Sequence, residues 1–289
     1  MNYFNDTEED LRLVRLAKEG KKEALETLVK NNQEWIFNLA LRMVGNSDDA
    51  SDITQEILIK LITKLSTFQE RSSFKTWLYR IAKNHILNMK RCVWERYFNS
   101  FEQHERFKNM FDEPLPEEYQ SPLPDQQLLL DETRMGCITG MLLCLDRTQR
   151  IVFILGGIFN INSKLGADIM ETSAENFRQL LSRARKQLSN YMNDKCGLIN
   201  ENNPCRCAAK TKALIKAGFV DPEKLRFNRQ SQKRIQELLP DTEQLVEDAL
   251  EIRVQNMYRE QQMHEFPEAK NILSRILECK PVRDIINFS

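Results

Sequence analysis

The sequence predicts an all-α protein, on three observations: apolar residues recur with a 3.6-residue period almost everywhere, runs of alternating β-branched residues are scarce, and capping residues stand where the periodic stretches begin and end. The 289 residues exceed one compact helical core, so two or three domains are expected. Apolar residues make up 41% and charged residues 29%, the balance of a folded chain with a solvated surface.

The elements follow in order. Thr7 followed by Asp10 reads as an N-terminal cap, and Leu11, Val14, Leu16 and Ala17 form the stripe of a short first helix. Ala24, Leu25, Leu28, Val29, Ile36, Leu39, Ala40 and Met43 carry a longer second helix, ended by Gly45 at a C′ position. Ser47 is read as the cap of a third helix over 47–66, with Ile53, Ile57, Leu58, Leu61, Ile62 and Leu65 on its inner side. Asp49, Asp52 and Glu56 share another face of that helix, with Gln55 beside them. After a loop at 67–72, a fourth helix turns Phe74, Trp77, Leu78, Ile81, Ala82 and His85 inward and leaves Thr76, Arg80, Lys83 and Asn84 facing out.

Pro114, Pro116, Pro122 and Pro124 stand among acids and forbid a regular helix, so 109–127 reads as an extended, charged linker. Beyond it, 128–145 and 147–156 read as helices, and Gly156-Gly157 breaks the pattern. Two further helices, 163–170 and 173–191, are separated by the turn Glu171-Thr172, a helix-turn-helix spacing. From Cys196 onward a polar loop gives way to helical periodicity through Leu238, Leu245, Ala249, Ile252 and Met257. The expected organisation is therefore 1–108, the linker 109–127, a domain at 128–193 and a C-terminal extension at 194–289.

The formal net charge is zero, but its distribution is uneven. Across 75–108, Lys75, Arg80, Lys83, Lys90, Arg91, Arg96, Arg106 and Lys108 face only three acids. Asp112, Glu113, Glu117, Glu118, Asp125, Asp131 and Glu132 then follow with no cation among them. A basic segment suits phosphates, and an acidic one either stays clear of them or mimics a nucleic acid. No apolar stretch approaches the roughly 20 residues of a membrane span, and the acidic start Asp6, Glu8, Glu9, Asp10 is unlike a signal peptide, so no membrane insertion and a cytoplasmic location are expected.

Two constellations suit nucleic acid. In the helix from Ser173, Phe177, Leu181, Ala184 and Leu188 form a buried seam, while Asn176, Arg178, Gln179, Ser182, Arg183, Arg185 and Lys186 offer groups for base edges and phosphates; an ordinary surface helix is the alternative. The segment 68–84 interleaves aromatics, hydroxyls and cations, the mixture single-stranded DNA needs: ring faces stack on bases at roughly 1–3 kcal/mol each and cations neutralise the backbone. Phe74 and Trp77 are read as core residues first. No phosphate loop is present, and His85, His104 and His264 lie far apart, so no enzymatic nucleus is visible.

The run Ala40-Leu-Arg-Met-Val-Gly-Asn-Ser-Asp-Asp-Ala-Ser-Asp-Ile-Thr-Gln-Glu-Ile57, then Phe68 and Ser73-Phe-Lys-Thr-Trp-Leu-Tyr-Arg-Ile-Ala-Lys-Asn84, closely resembles the second conserved region of extracytoplasmic-function (ECF) sigma factors. Leu145-Asp-Arg-Thr-Gln-Arg-Ile-Val-Phe153 and Arg183-Ala-Arg-Lys186 are similar to the family's fourth region, and the resemblance covers about 9–191. It implies a non-catalytic specificity subunit that binds core RNA polymerase and promoter DNA, with an anti-sigma factor as a further partner. Asp49, Asp52, Gln55 and Glu56 would then dock on the polymerase. Phe68, Arg71, Ser72, Ser73, Thr76, Arg80, Lys83 and Asn84 would read and melt the −10 element. Ser173, Asn176, Arg178, Gln179, Arg183 and Lys186 would read the −35 element.

The chain departs from the family pattern at Glu171, where the turn usually has Gly, and at Glu175-Asn176-Phe177, where the helix usually opens Gly-Thr-Val. A stand-alone helix-turn-helix regulator with a metal- or thiol-sensing tail is the alternative function. Cys196, Cys205 and Cys207 are candidate zinc ligands with a fourth from His264 or Cys279, weighed against a redox pair or structural thiols. No cofactor is otherwise required.

Overall fold

The computed structural model describes residues 6–110, 126–223, 225 and 247–259, with isolated positions beyond. The described residues form helices and no strand, as the apolar periodicity predicts. Most of the linker expected at 109–127, and Leu238, Leu245 and His264, lie outside them.

Compact packing divides the chain at Val93. One unit gathers residues up to Cys92, residues Ile161–Arg178 and residues from Met263; the other gathers Val93–Asn160 and Gln179–Gln262.

The first unit is built on α1 (Glu8–Lys18), α2 (Lys22–Val44), α3 (Ser47–Lys64) and α4 (Phe74–Asn88). Thr7 and Asp10 close a reciprocal capping box on α1. Gly45 ends α2 at φ 73°, a left-handed position that glycine adopts without a Cβ penalty. Asn46, not Ser47, caps α3: its side chain accepts from the Asp49 amide, and Ser47 is already helical. Trp35 stacks on Tyr79 at 4.0 Å, locking α2 to α4. Phe266, from the extension, meets Phe37 at 5.1 Å.

In the second unit, α5 (Val93–Tyr97) and α6 (Phe101–Asn109) pack on α7 (Gln126–Leu143) through an aromatic cluster. Trp94 stacks on Phe98 at 5.6 Å, and Phe107 meets Phe219 of the extension edge-on at 5.0 Å. The helix α8 (Arg147–Val152) does not break at Gly156-Gly157 but widens into a π-helical turn over Phe153–Ile158. That turn is where α12 (Glu247–Arg259) docks: the Gly157 carbonyl accepts from Gln255 at 3.1 Å and from Arg259 at 2.6 Å. Of the periodicity expected here, Met257 is buried beside Val254 and Tyr258, whereas Ile252 is exposed.

Candidate nucleic-acid interface

The face begins with the loop at 68–72. Phe68 is only 2% exposed, and its ring packs against Phe74 at 5.8 Å and Trp77 at 5.4 Å. Its ring therefore belongs to the core that supports the loop, and offers no face to a base. Lys18 donates to the Phe68 carbonyl at 2.9 Å, which pins the loop to α1. Arg71 is exposed, and Ser72 and Ser73 are half-buried.

Ser73 caps α4 by accepting from the Thr76 amide at 3.0 Å, and its hydroxyl meets that of Thr76 at 2.7 Å. Thr76 is consequently buried, not outward. Asp6 adds a second cap, accepting from the amides of Phe74 at 2.6 Å and Lys75 at 3.0 Å. Lys75 also pairs with Asp10 at 3.2 Å. Asp6, which the sequence offered only as part of an acidic start unlike a signal peptide, thus fixes the start of α4, and Asp10 adds to its cap on α1 a pair with Lys75.

One turn on, Arg80 is half-buried and Asn84 exposed, but Lys83 is 5% exposed rather than outward. The reason is α9 (Ser163–Met170), which packs along α4 within the same unit. Lys83 pairs with Glu171 at 2.5 Å, and Arg80 donates to the Asp168 carbonyl at 2.8 Å. Lys83 bonding, the charges of Lys83 and Arg80 and a bond from Asn84 together hold the Glu171 carboxyl below its ordinary range against some burial. Glu171 ends α9 at φ 56°, a left-handed conformation that costs a non-glycine residue about 1 kcal/mol. Its side-chain contacts offset that cost.

On α3, Asp52 and Glu56 are exposed and Asp49 and Gln55 half-buried, so the acidic side forms one surface. His85 meets Glu56 at 3.3 Å and also contacts Lys60; burial first, then the Lys60 charge, lowers the His85 pKa, partly opposed by Glu56.

The turn after α9 leads into α10 (Ala174–Lys195). Ser173 accepts from the Asn176 amide at 3.1 Å, and Asn176 donates to the Thr172 hydroxyl at 2.8 Å. Glu175 pairs with Arg178 at 2.6 Å, so its charge is compensated within the helix. Arg178 also reaches the Ser163 hydroxyl at 3.3 Å. Gln179, Arg183 and Lys186 are exposed on the same helix, and Phe177, Ala184 and Leu188 are fully buried as the seam.

Cys196 follows α10, Cys205 lies in the loop after it, and Cys207 begins α11 (Cys207–Lys216). All three are free thiols. Burial pushes the Cys196 thiol up and the Cys207 thiol up to about 11, aided by the neighbouring Cys residues. Among the described residues, no group of three or more His, Cys, Asp or Glu side chains is arranged to hold a metal ion. Cys279 lies in the other compact unit.

The family comparison falls on this interface: the Sigma-70 region 2 family matches residues 28–96, which contain α3, the loop and α4. The RNA polymerase sigma-H factor of Pseudomonas aeruginosa is 40% identical over 84 residues, 28% of this chain and 44% of that protein. The ECF RNA polymerase sigma factor SigW of Bacillus subtilis is 37% identical over 71 residues, 25% of this chain and 38% of that protein. Residues 28–96 of this chain therefore carry a Sigma-70 region 2 domain. The chain spans less than half the length of those two relatives. The RNA polymerase sigma factor YlaC of Bacillus subtilis matches further, 26% identical over 172 residues, 59% of this chain and 93% of that protein. Among the described residues, no helix of this chain is long and apolar enough to cross a membrane.

Proposed function

We propose that this chain is an RNA polymerase sigma factor that binds core polymerase, recognises −35 and −10 promoter elements and melts the −10 region. The observation that carries the reading is α4, a helix held at its start by Ser73 and Asp6 and carrying Arg80, Lys83 and Asn84 along one side. Melting is differential binding: unpaired bases gain contacts that the duplex does not offer, which offsets unstacking. In this reading 1–108 supplies polymerase docking through Asp49, Asp52, Gln55 and Glu56 and −10 contacts through Arg71, Ser72, Arg80, Lys83 and Asn84. The segment 109–127 is a linker, and 128–193 presents Ser173, Asn176, Arg178, Gln179, Arg183 and Lys186 to the −35 groove.

The partners are core polymerase, promoter DNA and an anti-sigma factor; the chain works in the cytoplasm and catalyses nothing itself. A stand-alone helix-turn-helix regulator is disfavoured, because such a protein has no use for a cation- and Asn-bearing face on the first bundle. For the extension, the reading favoured over a zinc site is packing thiols, since burial raises the pKa of both Cys196 and Cys207.

Reconstitution with core polymerase tests the reading. Promoter-specific transcripts from fragments of the source genome are expected, and Asn84→Ala should weaken open-complex formation more than polymerase binding. Absence of any specific transcript would remove the main support. Metal analysis of the intact protein beside a Cys205→Ser, Cys207→Ser variant tests the extension: stoichiometric zinc that the variant loses would make the thiols ligands instead.

A further inference from the structure

The cations assigned to −10 DNA already have an occupant. Lys83 gives its ammonium to the Glu171 carboxylate at 2.5 Å, and Arg80 gives its Nε–H to the Asp168 carbonyl at 2.8 Å. Both acceptors sit at the C-terminal end of α9, where unsatisfied helix carbonyls carry partial negative charge. A carboxylate and a helix C-terminus are the two groups a protein has for imitating the negative backbone of a nucleic acid. They meet the side of α4 at and just before the turn Glu171-Thr172.

We propose that the end of α9, through Glu171 and the Asp168 carbonyl, closes the −10 face of α4 in the free chain, and that a single DNA strand must displace it to reach Arg80, Lys83 and Asn84. The inference rests on the reading of α4 as the strand-binding face. Its energetic logic is competition: one set of cations serves either the internal carboxylate or phosphate, so the affinity for DNA is reduced by the fraction of chains that are closed. Glu171 also explains its own backbone. A left-handed residue with a side chain is held at the turn because that side chain has a partner on α4.

The test uses the full chain and a fluorescent, mixed-sequence single-stranded deoxyoligonucleotide. Glu171→Gln removes the charge without touching the backbone, and Glu171→Gly removes the side chain while suiting the left-handed turn. Both should bind the strand about two- to fivefold more tightly than the parent. Glu175→Gln, which removes an acid already paired with Arg178, should change binding much less. In a Lys83→Ala background, Glu171→Gln should give little further gain, because the competitor has lost its main contact. Amide hydrogen exchange in α9 should rise when the strand is added to the parent protein. Equal gains from Glu171→Gln and Glu175→Gln would overturn the proposal, since general charge would then explain them. So would unchanged exchange in α9, or no gain from either Glu171 variant while Lys83→Ala still weakens binding. Binding that responds to neither Lys83→Ala nor Asn84→Ala would instead remove the reading of α4 itself, and the closure with it.

Discussion

Glu95 and Arg150 form an ion pair at 2.8 Å with both side chains buried, and Arg147 joins the same carboxylate at 2.6 Å. Arg150 also donates to the carbonyls of Leu143 and Leu145, so one guanidinium ties α5 to the end of α7 and the start of α8. Removing the acid leaves buried cations without a counter-charge. Glu95→Gln is expected to destabilise the second unit by about 3–5 kcal/mol in urea unfolding. A loss below about 1 kcal/mol would mean that the arginines find other partners. Burial alone would push the Glu95 carboxyl up, but the Arg147 bond and the two arginine charges outweigh it and hold the group below its ordinary 4.5. Its stabilisation is therefore complete above pH 4.5 and is lost as pH falls through the lower folded value.

His104 gives a second pH dependence in a milder range. Burial pushes its pKa from the ordinary 6.5 down to about 4, and its ring meets the Tyr191 hydroxyl at 2.9 Å. Between those values the unfolded chain takes up a proton that the folded chain refuses, so stability falls as the solution is acidified from pH 6.5 towards 4. The full effect is roughly 3 kcal/mol. His104→Gln is expected to lower stability at neutral pH and to flatten the slope over that window in unfolding measured pH by pH. A slope identical to the parent's would assign the dependence to other groups.

The helices around Gly45 and the turn Glu171-Thr172 were legible because a local rule sets each of them: an apolar period, a left-handed glycine, a short turn between two seams. The polar residues of α4 were legible as types and misread as directions. Thr76 and Lys83 sit at outward positions of an isolated helix, but Ser73 draws in one and Glu171 the other, and the second partner lies 88 residues away. The π-helical turn was hidden for a similar reason. Gly156-Gly157 signals weakness in a helix, whereas the widened turn is held by Gln255 and Arg259, about 100 residues downstream.

Gly166 is a packing glycine within the helix-turn-helix. A Cβ there would stand 2.4 Å from the Phe177 ring, which is completely buried and has little room to retreat. Gly166→Ala is expected to cost about 1–3 kcal/mol by overpacking, read as a lower midpoint in thermal unfolding. Adding Phe177→Leu should recover part of the loss, because the two changes act on one contact. Strictly additive losses in the double variant would show that the glycine matters for some reason other than the ring.

Tyr258 tests whether the extension is part of the second unit's core. Its side chain is fully buried, its hydroxyl donates to the Ile138 carbonyl at 3.1 Å, and its ring meets Phe153 edge-on at 5.2 Å. The two contributions separate by substitution. Tyr258→Phe keeps the ring and removes one hydrogen bond to a carbonyl of α7, for a loss of about 1 kcal/mol. Tyr258→Ala removes the ring as well and should cost about 3–5 kcal/mol, with raised hydrogen exchange around Phe153–Ile158. If α12 instead rests loosely on the surface, both variants would unfold with the parent's midpoint and exchange at that π-helical turn would not change.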